Sequence, residues 1–473
     1  MKNYKQQFKG KKITVMGLGL LGRGTGYTKF LAECGADLIV TDLKTKEQLA
    51  TSVKTLSKFS NIKFVLGEHK LEDFKDRDMI IKAAGVSLDS IYIQEARKNN
   101  IPIEMDVSLF AKCAPEVMIV GVTGTRGKSM TTTLIYEILS AYAKASARQR
   151  KQINEIWKRK PDVYVGGNLR GIATLPLLKK VKAGDILVCE LDSWQLQGFK
   201  EDHISPQISV FTTFMPDHMN YYKDSMEKYF DDKANIFKYQ NAEDTLIIRP
   251  GMKKFIKKGD TKGNLIVVDL LDVLNWKFSV PGHHHRENLA CAVKVAEVLG
   301  IPEIKIKKAV ANFKELEGRM QLLKIYKGIK IYNDNNATTP EATIAGLEAL
   351  SVKEPQVRLR ASPKSDLWRK NIVLICGGAD KNLLLDNLIK KVNQTCKFIS
   401  LISGSGTNKF LSNKKLKVES YQAKDLKDAV KRALSQAKKA DIVLFSPAFA
   451  SFGMFNNEYE RNDLFMKIIK GLK

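Results

Sequence analysis

The sequence predicts an α/β protein built from three parallel-sheet units in series, and three observations predict it. Short β-branched runs alternate with helical patterns along the chain, as strands covered by crossover helices require. Glycine-rich turns join a strand to a helix at 17–22 and again at 121–129. The chain has 473 residues, too many for one hydrophobic core when domains run to ~100–200 residues. With 44% hydrophobic and 27% charged residues, the composition is that of a folded globular protein, which excludes a disordered chain.

The first unit, 1–108, opens with a strand at Ile13–Met16, a glycine turn, a helix, and a strand at Leu38–Thr41 ending at Asp42. Gly17-Leu18-Gly19-Leu20-Leu21-Gly22 satisfies G-x-G-x-x-G, and Asp42 closes the next strand where a Rossmann-like domain places its ribose-binding acid. A helix start stripped of side chains cradles any diphosphate, so the motif predicts a nucleotide diphosphate without selecting NAD.

The second unit, 109–316, is predicted as a P-loop mononucleotide-binding domain. The strand Val117–Val120 runs into Thr123-Gly124-Thr125-Arg126-Gly127-Lys128-Ser129, and a helix follows from Met130. Backbone N–H groups and the helix dipole would face phosphates there, with Lys128 on the outer phosphates and Ser129 on Mg²⁺. The common spacing G-x-x-x-x-G-K-[ST] needs glycine at position 122, where Val122 stands, so this is a variant loop. The third unit, 317–473, carries strands at Ile329–Tyr332, Ile372–Ile375, Phe398–Leu401 and Ile442–Phe445 and reads as a second Rossmann-like domain.

No apolar stretch approaches the ~18 residues of a membrane span. The six cysteines form no CxxC pair and are expected to be reduced, buried thiols of a cytoplasmic protein. A net charge of +27 would suit nucleic acid, an anionic membrane surface or polyanionic small substrates. The surplus is spread along the chain, and the basic stretches Lys144–Lys160 and Arg358–Lys370 lack the interleaved aromatics of a base-stacking platform. They read as solvated surface, and no nucleic-acid partner is expected. Three adjacent histidines, His283 to His285, cannot easily converge on a tetrahedral zinc.

Several segments, in one order over nearly the whole chain, resemble the Mur ligases of peptidoglycan synthesis and their folylpolyglutamate synthase relatives. The loop resembles T-G-T-N-G-K-[ST]-T, with Arg126 for Asn and Met130 for Thr. Val165-Gly-Gly-Asn168 resembles the family's GGN segment, and Glu190-Leu-Asp-Ser193-Trp-Gln195-Leu its E-x-S-S-F-Q-L strand end. Asp217-His218-Met resembles the D-H-[ML] turn, and Lys233 falls fifteen residues on, where these ligases carry a carbamylated lysine. Gly282-His-His284-His285-Arg-Glu-Asn288 resembles G-x-H-N-x-x-N, Gly318-Arg319-Met the linker arginine, and Tyr332-Asn-Asp334 the ND segment.

The resemblance implies ATP contacts at Gly124, Thr125, Gly127, Lys128, Ser129, Asn288, Arg319 and Asp334. It implies two Mg²⁺ ions held through Ser129, Glu190 and His218, and catalytic roles for Lys128, Glu190, His218 and a carbamylated Lys233. The first-domain glycine motif, Ala337-Thr338-Thr339-Pro340, Gly377-Gly-Ala-Asp-Lys381 and Ser446-Pro-Ala-Phe-Ala-Ser451-Phe452 look like the branch of the family that adds D-glutamate to UDP-MurNAc-L-Ala. That branch implies D-glutamate contacts at Thr338, Lys381, Ser451 and Phe452, and UDP-substrate contacts at Gly19, Leu20, Leu21, Asp42, Gly85, Asn168, Ser193 and Gln195. A cytoplasmic monomer is expected. Departures from the pattern are Asn336 for a lysine near ATP, Ala83-Ala84-Gly85 for [SN]-P-G, His285 for an asparagine, and Asn462 for a glycine.

The implied chemistry is physically coherent. A carboxylate is a poor acyl donor until phosphorylation removes its charge and supplies a leaving group, and the negative charges that meet in that step need metal and fixed cations. Because the ATP residues come from both the second and third units, closure on ligand is expected. Other readings are another Mur-type or folylpolyglutamate-type ligase, an NAD-dependent oxidoreductase suggested by the glycine motif and Asp42, and a basic NTPase acting on nucleic acid. Neither of the last two explains His218, Lys233 and Arg319 in order.

Overall fold

The computed structural model describes residues 4–144, 159–351 and 370–472. Apart from Lys144, Arg159, Lys160 and Lys370, the two basic stretches lie outside the described residues. The described strands form three sheets. The first contains β1 (Lys12–Met16), β2 (Asp37–Asp42), β3 (Ile62–Leu66), β4 (Met79–Lys82) and β5 (Ile103–Glu104), in the order β3-β2-β1-β4-β5 and parallel throughout.

The second sheet contains β6 (Met118–Thr123), β7 (Val163–Gly167), β8 (Ile186–Glu190), β9 (Ile208–Phe211), β10 (Thr245–Ile248) and β11 (Asn264–Val267), ordered β11-β10-β9-β6-β8-β7, again all parallel. The third contains β12 (Gln321–Tyr326), β13 (Ile329–Asn333), β14 (Ile372–Gly377), β15 (Cys396–Ile402), β16 (Ser420–Gln422) and β17 (Ile442–Phe445). Its order is β12-β13-β17-β14-β15-β16, and only the edge strand β12 runs antiparallel, to β13.

The strand compositions explain this architecture. A parallel sheet is covered by helices on both faces, so its central strands must be apolar at successive positions. Accordingly every residue of β8 (Ile-Leu-Val-Cys-Glu) and of β14 (Ile-Val-Leu-Ile-Cys-Gly) is buried. The six cysteines are unpaired and five are buried, most of them inside such runs.

The chain divides into two compact units. One runs to Trp276 and includes Glu287–Val310; the other comprises Lys277–Arg286 and the residues from Ala311 onward. The first unit carries the first two sheets, and one apolar cluster unites them, including Phe30 and Phe110 with Leu187, Phe199 and Phe211. The second unit packs Ile331, Phe398, Phe445 and Phe465 around the third sheet. No helix among the described residues is long and apolar enough to cross a membrane.

Strand order positions the sites. In open parallel sheets ligands bind beyond the carboxyl ends of the strands where the order reverses. In the first sheet that point lies between β1 and β4, at the glycine turn and Ala83–Gly85; in the second it lies at β6, whose end is the phosphate loop. Glycine is required at the first turn. A Cβ on Gly24 would sit 2.0 Å from the carbonyl oxygen of Leu18, so Gly24→Ala must push the helix Arg23–Glu33 off β1. Overpacking of this kind costs about 1–3 kcal/mol. In urea denaturation the variant should lower the midpoint of the first unit's transition and leave that of the second unit in place.

Candidate active site

The phosphate loop is fixed from below by the segment that follows β9. Thr125 N–H donates to the carbonyl of Thr213 (2.7 Å) and Arg126 N–H to the Thr213 hydroxyl (2.8 Å). The Thr212 hydroxyl donates to Arg126 O (2.6 Å), and the Thr125 hydroxyl to Met215 O (3.1 Å). Two loop amides are thereby committed to the scaffold. The helix that follows begins at Lys128, two residues before the expected Met130. Gly124 sits at φ 136°, and a Cβ there would meet the Thr212 Oγ1 at 2.1 Å, so this position tolerates no side chain.

Two lysines converge on one carbonyl. Lys128 Nζ donates to Gly124 O (3.0 Å) and Thr125 O (3.2 Å), and Lys233 Nζ donates to the same Gly124 oxygen at 3.0 Å. Lys233 is 1% exposed and its Nζ stands 4.9 Å over the Tyr229 ring. Burial, reinforced by the neighbouring Lys128, holds its ammonium well below the usual lysine range. Burial also lowers Lys128, opposed by Glu190. Arg126, the extra cation in this loop, is neutralised by an ion pair to Asp217 (2.7 Å).

Facing them, Glu190 ends β8 and is 4% exposed. One carboxylate oxygen lies 3.5 Å from the Asn168 amide; the other is buried without a hydrogen-bond partner among the described residues. A buried carboxylate oxygen left unmatched is costly unless a cation meets it. His218 adopts φ 56°, which sets its ring 4.7 Å from Trp194. Withdrawal from water lowers its proton affinity, with Asp217 opposing and Lys128 and Lys233 assisting. In its neutral form the ring has a lone pair to offer. Glu190, Ser129 at the first turn of the helix and His218 offer donors of the kinds a divalent cation takes, although among the described residues no group of three or more His, Cys, Asp and Glu side chains gathers that could hold a metal ion.

Asn288 accepts from the Thr131 hydroxyl (3.2 Å) and from Arg249, which also pairs with Glu287 (2.9 Å). A Cβ on Gly127 would stand 2.4 Å from the Asn288 Oδ1. The sequence reading missed Arg249 and Tyr229. Their signals were available: Arg249 is a charge closing the apolar strand β10, and Tyr229 lies one helical turn before Lys233 on the same face.

The pocket beside the glycine turn of the first sheet is lined by Gly19, Leu20, Leu21 and Gln195, together with Arg23 and Lys82, which the sequence did not single out. Asp42, Gly85, Asn168 and Ser193 are not among its lining residues. The Asp42 carboxylate instead accepts from Gly19 N–H (3.0 Å) and Lys44 N–H (2.9 Å), bracing the glycine turn from behind. Gln195 and Asp192 exchange side-chain to backbone hydrogen bonds (2.7 and 3.2 Å) across the turn that leads into the helix Gln195–Glu201.

In the second unit, backbone bonds between Ala379 and Ala450 (3.0 and 3.1 Å) and from Ala448 N–H to Ala337 O (2.9 Å) draw three strand ends together. There Lys381 Nζ donates to the Thr338 hydroxyl (3.2 Å); Ser451 is buried and Phe452 is 62% exposed. Asp334 accepts from Met320 N–H (3.2 Å) and the Ser446 hydroxyl (2.9 Å), and Arg319 lies close enough to act on its charge. Asn462 accepts from Asn333 (2.9 Å) and donates to Glu317. Asn336 N–H donates to Gly318 O (2.9 Å).

A phosphate loop met by two lysines, an unmatched carboxylate and a histidine, set on parallel sheets, is the arrangement of an ATP-dependent ligase. Comparison with known proteins gives the family. The MurD-like N-terminal domain of Mur ligases matches residues 11–104, the Mur ligase middle domain 122–272, and the Mur ligase glutamate ligase domain 318–449. The UDP-N-acetylmuramoylalanine--D-glutamate ligase of Roseiflexus sp. (strain RS-1) is 33% identical over 98% of this chain and 99% of its own. That of Borreliella afzelii (strain PKo) is 31% identical over 98% of each. The fold is shared with the solved UDP-N-acetylmuramate-alanine ligase MurC from Thermotoga maritima, with a TM-score of 0.59 at 18% identity, covering 98% of this chain and 100% of that one. The chain belongs to the Mur ligase family.

Burial pushes the Asp334 carboxyl from an ordinary 3.8 up to about 7, against the lowering effect of Ser446, Met320 N–H and Arg319. Because the folded state holds this proton more tightly than the unfolded state, the associated stability is fully present below about 3.8 and is lost as pH rises toward about 7. Asp334→Asn cannot ionise. The urea midpoint of the second unit should fall across that interval in the parent protein, with a visibly flatter profile in the variant.

Proposed function

We propose that this chain adds D-glutamate to UDP-N-acetylmuramoyl-L-alanine, at the expense of ATP, in the synthesis of peptidoglycan precursors. The full-length likeness to ligases named for that reaction supports the substrates. The observation that carries the chemistry is the convergence of Lys128 and Lys233 on Gly124 O. The modules are 1–108 for the UDP substrate, 109–316 for ATP and 317–473 for the amino acid.

In the first step a carboxylate oxygen of the UDP substrate attacks the γ-phosphorus of ATP, and the β–γ bridging oxygen leaves with ADP. Lys128 neutralises charge gathering on the transferred phosphoryl group, while Gly124, Thr125, Gly127 and Asn288 shape the loop around the phosphates. Two magnesium ions, held by Ser129 and Glu190 and by His218, would supply Lewis-acid charge neutralisation there. In the second step the neutral amine of D-glutamate attacks the acyl carbon. The tetrahedral adduct loses a proton and expels phosphate, leaving the amide. Lys381 and the hydroxyls of Thr338 and Ser451 bind the glutamate carboxylates, with Phe452 beside them. Arg319 and Asp334 serve the ribose and base of ATP. Gly19, Leu20, Leu21 and Gln195 line the uridine nucleotide, Asp42 and Gly85 support that turn, and Asn168 and Ser193 serve the sugar end.

Lys233 acts as a carbamate. Burial lowers the proton affinity of its amine well below the usual lysine range, and a neutral amine adds to CO₂, releasing one proton and leaving an anion where an ammonium would repel the cations of the site. The anion is then flanked by Lys128, which it also neutralises.

Phosphate release from Mg·ATP should depend on both UDP-MurNAc-L-Ala and D-glutamate; release that ignores D-glutamate would sink the assignment. Lys128→Ala should cut turnover by at least ~10²-fold, the scale of losing a charge stabiliser of the transition state. Lys233→Ala should lose activity that added bicarbonate cannot restore, and near-parental turnover of this variant would remove the carbamate from the mechanism.

A further inference from the structure

Lys82 ends β4, is 2% exposed, and lines the pocket beside the glycine turn. A lysine there is expensive, since removing an ammonium from water costs several kcal/mol unless it is well paired. Its Nζ donates to Val86 O (3.0 Å) and to the side-chain oxygen of Gln197 (3.3 Å). The Gln197 amide group donates onward to the Asp232 carboxylate (2.8 Å) and to the Tyr221 hydroxyl (3.1 Å). The Tyr222 hydroxyl donates to the same Asp232 oxygen (3.0 Å).

The order of charges fixes the amide's orientation. Turned over, Gln197 would set its N–H groups against an ammonium and its oxygen against a carboxylate, and both contacts would repel. Cation, amide and carboxylate therefore form a directed chain in a site of low dielectric, where such bonds are strongest. Burial lowers Lys82 to about 8, with Asp192 and Asp232 opposing; burial also raises Asp232. Both partners depend on the network to keep their charges.

Asp232 belongs to the helix Met226–Ala234, and residues of the same helix face reach the phosphate loop. Tyr229 meets the Thr125 hydroxyl (3.4 Å), and Lys233, adjacent to Asp232, holds Gly124 O. One face of this helix thus meets both Gln197, the partner of Lys82, and the loop that receives ATP.

We propose that Lys82 is a positioning residue that couples occupancy of the nucleotide pocket to the helix carrying Lys233, through Gln197 and Asp232. It rests on the function above, in which the pocket takes the uridine nucleotide. An anionic nucleotide beside Lys82 strengthens the electrostatic hold on Gln197, and the helix is ordered before ATP is attacked. A network that only seals the seam between the two sheets would be indifferent to the nucleotide.

The test uses full-length protein, UDP as probe, and hydrogen–deuterium exchange of the helix Met226–Ala234. In the parent, saturating UDP should slow exchange of this helix by about fivefold or more, the lower end of ordinary site-to-site coupling. Gln197→Leu, which cuts the chain at its middle, should bind UDP within about twofold of the parent by calorimetry yet lose that protection, the mark of lost coupling with intact binding. Its kcat should fall with little change in KM for the UDP substrate. If Gln197→Leu does not fold, Asp232→Ala breaks the same chain and carries the same expectations. UDP-induced protection that survives in the folded variant, or is missing in the parent although UDP binds, overturns the coupling alone. Failure of the parent to bind UDP overturns the functional reading and this inference together.

Discussion

Everything in the first unit turns on the carbonyl of Gly124. Lys128 and Lys233 both donate to it at 3.0 Å, so two lysine amino groups, that of Lys233 buried, are held side by side. Like charges placed so close repel strongly in a medium of low dielectric. Burial keeps Lys233 far below its ordinary proton affinity, which relieves the repulsion and leaves a reactive amine. What remains is a preorganised positive site with an unmatched carboxylate, Glu190, facing it. Such a site is electrostatically incomplete alone and suits phosphates and metal.

The scaffold exists to hold that arrangement. Thr212, Thr213 and Met215 bind the loop from beneath, Arg249 and Thr131 hold Asn288 against Gly127, and Tyr229 supports Lys233. Arg126 adds no net cation, because Asp217 takes its charge. The left-handed backbone of His218 is strained for a residue with a Cβ, and the strain is spent on aiming the imidazole beside Trp194 instead of letting it follow the helix that comes next.

Much of this was legible in the residues. The alternation of β-branched runs with helical patterns gave the three sheets, and the glycine motifs marked the points where strand order reverses. Local signals were less exact at boundaries: the helix after the phosphate loop starts at Lys128, since Lys is as good a helix former as the expected Met130 and helix ends shift by a residue or two. Contacts between residues far apart in sequence were not legible. Asp42 looked like a ribose acid, and its carboxylate is engaged by the backbone of the glycine turn. Lys82 and Gln197 meet across more than a hundred residues, and no periodicity in either segment announces the other. Such pairs arise only once two sheets share a core.

If the lysine pair at Gly124 O serves transfer of a phosphoryl group onto a carboxylate, an acyl phosphate must form. Isotope tracing tests it most directly. UDP-MurNAc-L-Ala labelled with ¹⁸O in its carboxylate is turned over with Mg·ATP and D-glutamate, and the inorganic phosphate is examined by mass spectrometry. Transfer through an acyl phosphate leaves one labelled oxygen in each phosphate formed. Phosphate free of label, with the ¹⁸O retained in the amide product or lost to water, would contradict the account.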